Sequence, residues 1–297
     1  MSGRKYENLI KKLVIRKGPG GVLPDQLVWM ESKDLEGINL CFGGGVHGRE
    51  AGVGHTWAGA HTHKYDEILF FHGLNPSDIT YLGTEMAIEI GEEQEEHIFN
   101  ESSIVVVPRE MPHGPISNMQ KRLHLHYHIV LGPETQTTWK SKEAKPPKTH
   151  GTKYSHLFKP LRPKILKKSE NESGPGSADQ IVWFSSQDLE GLAVNFTWSV
   201  HSKCGVWHRY NSASKAHMHP FDEALFFLGF EPSDINYLGA EVEIYIGKEQ
   251  EKYVFDRAAA VVLPKNIPHG PIVTTWVDKP FGCFKISLDK GYKVTWV

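Results

Sequence analysis

The chain has few cysteines, almost no net charge and no long apolar segment, and each shortage excludes a class of protein. Its three cysteines, Cys41, Cys204 and Cys283, are too few and too irregularly spaced for a disulfide framework. The 33 basic and 35 acidic residues leave a formal charge of −2, which gives no strong field to attract nucleic acid or an anionic membrane. No segment approaches the roughly 20 apolar residues of a membrane-spanning helix, and the first residues lack the apolar stretch of a signal peptide. We therefore expect a cytoplasmic protein that binds a small molecule rather than nucleic acid or a membrane.

Amphipathic helical patterns are also scarce. The sequence instead has short segments rich in Val, Ile, Phe and Tyr, separated by Gly, Pro, Asn and Asp. Examples are residues 67–71, 104–107 and 123–131. Turn residues at intervals of about 8–12 positions are typical of an all-β sandwich or barrel. The pattern predicts an all-β fold.

A long internal repeat organises the chain. Residues 61–116 and 217–272 align without a gap and are identical at 31 of 56 positions. Shorter similarities extend the repeat toward both ends, so that nearly the whole chain is one unit copied in tandem. Between the copies lies a polar, lysine-rich segment with two adjacent prolines, a composition that favours an exposed linker. We predict an N-terminal domain at 1–132, a linker at 133–152 and a C-terminal domain at 153–297.

Each copy carries three histidines and one glutamate at matching positions. On a β-strand His61 and His63 would share one face, Glu67 could stay on that face, and His113 would arrive from a separate strand or turn. Three imidazole nitrogens and a carboxylate suit a divalent transition metal such as Fe(II), Mn(II), Ni(II), Zn(II) or Cu(II). The absence of sulfur argues against a purely structural zinc site. We predict one metal ion in each domain, and the equivalent ligands in the second copy are His217, His219, Glu223 and His269.

A row of alternating histidines follows in the first copy, and we take it as the candidate set of catalytic residues. His124, His126 and His128 would share one face of a strand. If that face points inward, the row could supply a general acid or base or bind a substrate carboxylate. If it faces solvent, it is a polar surface without catalytic meaning. The second copy has other residues at these positions, which are Phe281, Cys283 and Lys285.

Other residues near the repeated motifs admit two readings. Arg109 and Lys265 could meet an anionic substrate, although solvated surface charge is the simpler interpretation. Trp57 and Trp207 are candidates for the rim of a cavity. The glycine run at 43–45 lacks the strand-to-helix setting of a phosphate-binding loop, and we interpret it as a flexible connection.

The repeated motifs resemble those of the cupin family. The family's first motif corresponds to His61, His63, Glu67 and Gly73, and its second motif to Pro108 with His113. The second copy matches in the same way, so the chain looks like a bicupin over nearly its whole length. The resemblance implies tandem jelly-roll β-barrels, each with a metal at its centre. The chain departs from the family where a glycine of the second motif is replaced, by Glu110 in the first copy and by Asn266 in the second.

The resemblance leaves three classes of function open. We favour a non-haem Fe(II)-type dioxygenase acting on a small organic substrate, since similar cupins include dioxygenases and the ligand set can hold substrate and O₂ side by side. The second class is redox-neutral and comprises metal-dependent isomerases, decarboxylases and lyases. The third is a non-catalytic bicupin that binds a metal or a ligand. By analogy with other cupins we also expect a homodimer.

Overall fold

The computed structural model describes residues 4–16, 27–48, 59–140, 151–163, 178–207 and 216–297. These residues form strands joined by turns, with three single-turn 3₁₀ helices at Glu7–Leu9, Ser32–Asp34 and Ser155–Leu157. The all-β prediction is confirmed. None of the helices in the described part of the chain has the length and hydropathy needed to cross a bilayer.

The strands of the first half build two antiparallel sheets. Strand β1 (Ile10–Lys12) belongs to a sheet of the second half. The strands of the first two sheets are β2 (Val28–Met30), β3 (Cys41–His47), β4 (His61–His63), β5 (Glu67–His72), β6 (Tyr81–Ile90), β7 (Glu95–Glu101), β8 (Ser103–Val107), β9 (His113–Asn118), β10 (His124–Val130), β11 (Thr137–Trp139) and β12 (Phe158–Pro160). One sheet has the order β12-β8-β5-β10-β3-β2 and the other the order β11-β4-β9-β6-β7.

The second half repeats this plan. Its strands are β13 (Gln180–Phe184), β14 (Asn195–His201), β15 (Gly205–Val206), β16 (His217–Met218), β17 (Glu223–Gly229), β18 (Tyr237–Ile246), β19 (Glu251–Arg257), β20 (Ala259–Leu263), β21 (His269–Val277), β22 (Phe281–Ser287) and β23 (Thr295–Trp296). One sheet has the order β1-β20-β17-β22-β14-β13 and the other the order β19-β18-β21-β16-β23, with β15 paired to β21.

The pairing of β5 with β10 fixes which side chains face the interior of the first barrel. Glu67 lies opposite Val130, Leu69 opposite His128 and Phe71 opposite His126. Directly opposed residues of an antiparallel pair project from the same face of the sheet. The glutamate and the histidine row therefore share one face, and the structure excludes a solvent-facing row.

The compact units differ from the predicted domains because each unit includes the first strand of the other sequence copy. One unit comprises residues 14–162, and the other comprises 1–13 together with 163–297. Strand β1 pairs with β20, and β12 pairs with β8. The leading segments of the two copies, at 4–13 and 151–162, therefore each complete the sheet of the other copy. The predicted boundaries at 1–132 and 153–297 follow the sequence repeat and stay a prediction, whereas the first strand of each copy adds an edge to the sheet of the neighbouring repeat.

Part of the predicted linker is also a strand. Residues 137–139 form β11, which pairs with β4 so that Thr137 lies opposite His63 and Trp139 opposite His61. β4 would be an edge strand without β11, which pairs its backbone groups. The middle of the predicted linker, 141–150, lies outside the described residues.

Candidate metal centre

Three histidine rings converge inside the first barrel. His61 and His63 project from β4, and His113 at the start of β9 lies directly opposite His61. One ring nitrogen of each histidine lies within 4.8 Å of the others, and all three side chains are buried. The closest ring centroids, those of His61 and His113, are 4.2 Å apart.

Glu67 completes the quartet. Its carboxylate is 1% exposed. Oε2 lies 3.5 Å from Nε2 of His63 and 3.3 Å from Nε2 of His113. Oε1 lies 2.7 Å from Nδ1 of His128, which donates a hydrogen bond to it. One carboxylate oxygen therefore faces the histidine cluster while the other is held in place from the neighbouring strand.

The hydrogen bonds of the rings fix their tautomers. Nδ1 of His63 donates to the Gln136 carbonyl at 3.1 Å, and Nδ1 of His113 donates to the Met111 carbonyl at 3.1 Å. In a neutral ring whose Nδ1 carries the proton, Nε2 presents a lone pair. Two lone pairs and a carboxylate oxygen then converge without a proton between them. Buried acceptor atoms that face one another without a donor are unfavourable, and a divalent cation bound between them removes that cost.

Protonation states favour the same conclusion. Burial lowers the pKa of His63 below its ordinary value of 6.5, which keeps the ring neutral. Burial alone would raise the pKa of Glu67, but the surrounding histidines, among them the hydrogen-bond donor His128, hold that pKa well below 4.5. Neutral imidazoles and an ionised carboxylate are the forms that bind a metal.

The second barrel repeats the quartet. One ring nitrogen each of His217, His219 and His269 lies within 4.8 Å of the others. Carboxylate oxygens of Glu223 lie 3.8 Å from Nε2 of His219 and 3.7 Å from Nε2 of His269. Burial opposes ionisation of Glu223, but Lys285 and the histidines lower its pKa. The structure thus brings all eight predicted ligands together as two quartets.

The surroundings of the second glutamate differ from those of the first. The Ser287 hydroxyl donates to Oε2 of Glu223 at 2.7 Å, in place of the histidine that holds Glu67. Nδ1 of His219 donates to the Lys293 carbonyl at 2.8 Å, and Nδ1 of His269 donates to the Ile267 carbonyl at 3.0 Å. Ring orientation is therefore set by backbone carbonyls in both barrels.

Sequence reasoning missed a strap, by which we mean residues 136–140 in the first copy and 293–297 in the second. Each strap pairs with the strand that carries the His-x-His motif. The Trp139 ring lies 4.8 Å from that of His61, and the Trp296 ring lies 5.1 Å from that of His217. The repeated Thr-Trp dipeptide at 138–139 and 295–296 was the available signal. The strap orients one ligand through its carbonyl and covers another with its indole.

The histidine row lies on the inner wall of the first barrel. His124, His126 and His128 are only 1–3% exposed. The His126 ring stacks on Phe71 at 4.3 Å and lies 4.5 Å from the ring of His128. Burial lowers the pKa of His124 to about 4, so that this ring is neutral at pH 7. The row therefore forms a buried, polar wall beside Glu67, and its catalytic role stays a prediction.

His47 adds a fourth histidine to this wall. It lies directly opposite His124 on β3, and its ring centroid is 5.3 Å from that of His126. The glycine run at 43–45 belongs to the same strand and is not a flexible connection. Gly43 and Gly45 lie opposite His128 and His126. A side chain at Gly43 would meet the Trp29 ring, so this glycine lets Trp29 pack across the strand, where its ring centroid lies 5.8 Å from that of His128.

Two other candidates take structural roles. The Arg109 guanidinium binds Asp66 at 2.8 Å and is 68% exposed, so it is an ion pair at the surface. Trp207 is buried, stacks on His201 and donates to the Thr274 hydroxyl at 2.7 Å, so it belongs to the core. Trp57 lies outside the described residues.

Comparison with known proteins identifies the fold. No protein-family model matches the chain, and no curated protein matches it. Solved structures of oxalate decarboxylase from Bacillus subtilis are similar. A tryptophan-to-phenylalanine variant has a TM-score of 0.58 and 12% identity, covering 91% of this chain and 74% of that one. A serine-to-alanine variant has a TM-score of 0.58 and 11% identity, covering 97% and 77%.

A third such structure concerns the Mn(II) centres of the same enzyme, with a TM-score of 0.58 and 11% identity. Identities this low establish the fold and no more. The predicted tandem jelly-roll architecture is confirmed. The chain therefore has the two-domain cupin fold.

Proposed function

We propose that the protein is a metal-dependent enzyme that acts on a small organic acid without net oxidation, as a decarboxylase or a related lyase. The observation that carries the proposal is the buried histidine wall of the first barrel. Decarboxylation breaks a carbon–carbon bond, releases CO₂ and leaves an electron pair on carbon, which must then take up a proton. A wall of proton-carrying side chains beside the metal quartet suits that requirement.

The four ligands of each barrel would hold the ion. A bound divalent metal supplies Lewis acidity toward a substrate carboxylate or carbonyl. We place turnover in the first barrel, with His61, His63, Glu67 and His113 as ligands. Mn(II) is the first choice because a similar fold is described with Mn(II) centres. Iron, which the sequence favoured, is the alternative.

The three wall histidines have separate parts in this proposal. His128 is a positioning residue, since its Nδ1 donates to the carboxylate of Glu67. His126 is the proposed proton carrier, because its ring lies between Phe71 and His128 on the same inner face as Glu67, and Nδ1 donates to the Phe70 carbonyl at 3.2 Å. His124 closes the far end of the wall, where its Nδ1 lies 3.2 Å from the Arg122 carbonyl.

The dioxygenase is the second candidate. Leu69 and Phe71 are fully buried on the same inner face as Glu67, and an apolar wall suits a hydrocarbon substrate and O₂. The same residues also fill the barrel core. Cytoplasmic location and a homodimer stay predictions.

Oxygen stoichiometry separates the two candidates. Protein purified without chelators is first analysed for metal, then incubated with a panel of mono- and dicarboxylic acids while CO₂ release and O₂ uptake are recorded together. The proposal expects CO₂ release with no stoichiometric uptake of O₂. One O₂ consumed per product would assign the dioxygenase instead.

A matched pair of variants tests the wall. His126→Gln should lower kcat by about 100-fold to 10,000-fold with the metal retained, the range expected for a general acid or base. His156→Gln removes an exposed histidine of the same unit and should change nothing. Undiminished kcat in His126→Gln would refute the proposed proton carrier.

A further inference from the structure

A chain of hydrogen bonds joins the two sheets of the first unit at one end of the histidine row. Oγ1 of Thr84 on β6 donates to Oδ1 of Asn118, the last residue of β9, at 2.6 Å. Nδ2 of Asn118 lies 2.7 Å from the Arg122 carbonyl and 3.3 Å from Nδ1 of His124 on β10. Strands β6 and β9 belong to one sheet and β10 to the other. The proposed function gives Thr84 and Asn118 no part.

The contacts of Asn118 fix which way its amide faces. A backbone carbonyl only accepts hydrogen bonds, so the atom that lies 2.7 Å from the Arg122 carbonyl is the amide nitrogen. The amide oxygen consequently faces Thr84 and accepts its hydroxyl proton. Thr84 is only 4% exposed, and a buried hydroxyl needs such an acceptor. Thr84 therefore orients the amide.

The same amide bears on the position of the proton in the His124 ring. Nδ2 of Asn118 carries two protons, and one of them goes to the Arg122 carbonyl. The other has Nδ1 of His124 as its acceptor only if that nitrogen has no proton of its own. Nδ1 also lies 3.2 Å from the Arg122 carbonyl, but the shorter bond to this carbonyl is the one from Asn118. With Nδ1 as an acceptor, both amide protons have a partner and the proton of the neutral ring lies on Nε2.

The second copy lacks this chain of hydrogen bonds. The positions of Thr84, Asn118 and His124 are occupied there by Ala240, Thr274 and Phe281. The Thr274 hydroxyl instead accepts a hydrogen bond from Nε1 of Trp207 at 2.7 Å. The joint replacement links the threonine and the asparagine to the histidine rather than to the barrel that both copies share.

We propose that Asn118, oriented by Thr84, is a positioning residue that holds Nδ1 of His124 as an acceptor and keeps the ring proton on Nε2. A neutral ring can give a proton only from the nitrogen that carries it, so these hydrogen bonds decide which edge of the ring is the donor. In His126 the donor is Nδ1, which is bonded to the Phe70 carbonyl. The row then contains rings of both tautomers. The effect on turnover rests on the proposed function, whereas the tautomer can be observed without any reaction.

Nuclear magnetic resonance of the ring nitrogens tests the tautomer directly. The full-length protein is isotope-labelled at its histidine nitrogens and loaded with Zn(II), a diamagnetic ion that such ligands accept. The His124 signals are identified by their absence from His124→Phe. The wild-type ring should show a protonated Nε2 and an unprotonated Nδ1. Asn118→Asp offers Nδ1 an acceptor in place of a donor and should move the proton to Nδ1.

Three further variants separate positioning from folding. Thr84→Val removes the hydroxyl that orients the amide and should give a mixture of His124 tautomers. Thr84→Ser keeps a hydroxyl and should restore the wild-type spectrum. Asn100→Asp adds the same charge as Asn118→Asp at an exposed position of the same unit and should change nothing.

Turnover is measured on the protein loaded with Mn(II). Asn118→Asp should lower kcat for CO₂ release by about tenfold to a hundredfold, less than the loss of the general acid itself. Asn100→Asp should keep the kcat of the wild type.

Four results would each overturn the inference. These are a proton on Nδ1 of His124 in the wild type, a proton that stays on Nε2 in Asn118→Asp, a wild-type spectrum in Thr84→Val, and equal kcat of Asn118→Asp and Asn100→Asp in a protein that releases CO₂. If Asn118→Asp does not fold, the spectra of Thr84→Val and Thr84→Ser decide. A protein that releases no CO₂ would refute the proposed function, and the spectra would still locate the proton.

Discussion

The two barrels hold the same four metal-binding side chains but enclose them in different walls. Beside Glu67 lie histidines, whereas beside Glu223 lie a serine and a lysine. The ligands stayed the same after duplication while their neighbours changed. The difference supports the proposal that both barrels bind a metal and that only the first carries out the reaction.

The largest effect is expected when one metal ligand is removed from each barrel in turn. His113→Ala should abolish metal binding in the first barrel and lower turnover by at least about a thousandfold, since the Lewis acid is lost. His269→Ala should remove the other ion and change turnover severalfold at most. Metal content and kcat are measured on both variants. Equal losses of turnover would contradict the assignment of the reaction to the first barrel.

Acid sharpens the comparison because two buried histidines outside the quartets, His72 and His124, lie in the first unit. Burial lowers the pKa of His72 and of His124 to about 4 in the folded protein, against an ordinary value of 6.5. The unfolded chain therefore takes up protons first, and stability present above pH 6.5 is lost as the pH falls toward 4. Each ring accounts for about 3 kcal/mol across that window. The second copy has Leu228 and Phe281 at these positions.

Urea unfolding of the metal-free protein between pH 7 and pH 4 measures this effect. The transition of the first unit should weaken with acid more steeply than that of the second, and His124→Phe should reduce the slope. A slope unchanged by His124→Phe would show that this ring does not control acid stability.

The straps allow each metal site to be weakened separately. Truncation after Tyr292 removes the Lys293 carbonyl that orients His219 and the Trp296 ring that covers His217. Loss of such outer contacts typically lowers metal affinity by about 10-fold to 100-fold. Metal titration should therefore show one weakened site and one unchanged site. Equal weakening of both would mean that the truncation acts through general stability.

The smallest expected effect concerns the groups that hold the glutamates. His128→Phe removes the donor to Glu67, and Ser287→Ala removes the donor to Glu223. Each change should lower metal affinity at its own site by about tenfold, the lower end of the range for outer contacts. Competition with a chelator measures both affinities. A lower metal affinity at the opposite site would contradict the independence of the two barrels.

The repeat made the two quartets predictable from the sequence. The orientation of the histidine row could not be predicted, because both faces of β10 are buried. Alternation identifies an inner face only where the other face is polar. Along β10 the intervening Leu125, Tyr127 and Ile129 are buried as well, so the sequence left both orientations open.

The straps and the leading strands were hidden for other reasons. Strand β11 has only three residues, too few for an alternating pattern to show in the sequence, and pairing with β4 defines it. The leading segments of the two copies are alike, with Lys5-Tyr6 corresponding to Lys153-Tyr154. Because either segment fits either sheet, local sequence cannot say which barrel each one joins.

The exchanged leading strands also bear on how such a chain could arise. A gene encoding one copy would make a subunit whose first strand completes the barrel of another subunit, which is a domain-swapped dimer. Joining two such genes head to tail would yield the present connectivity without any new fold. Tandem fusion would also free the walls of the two barrels to evolve separately, which a symmetric dimer of identical subunits cannot do.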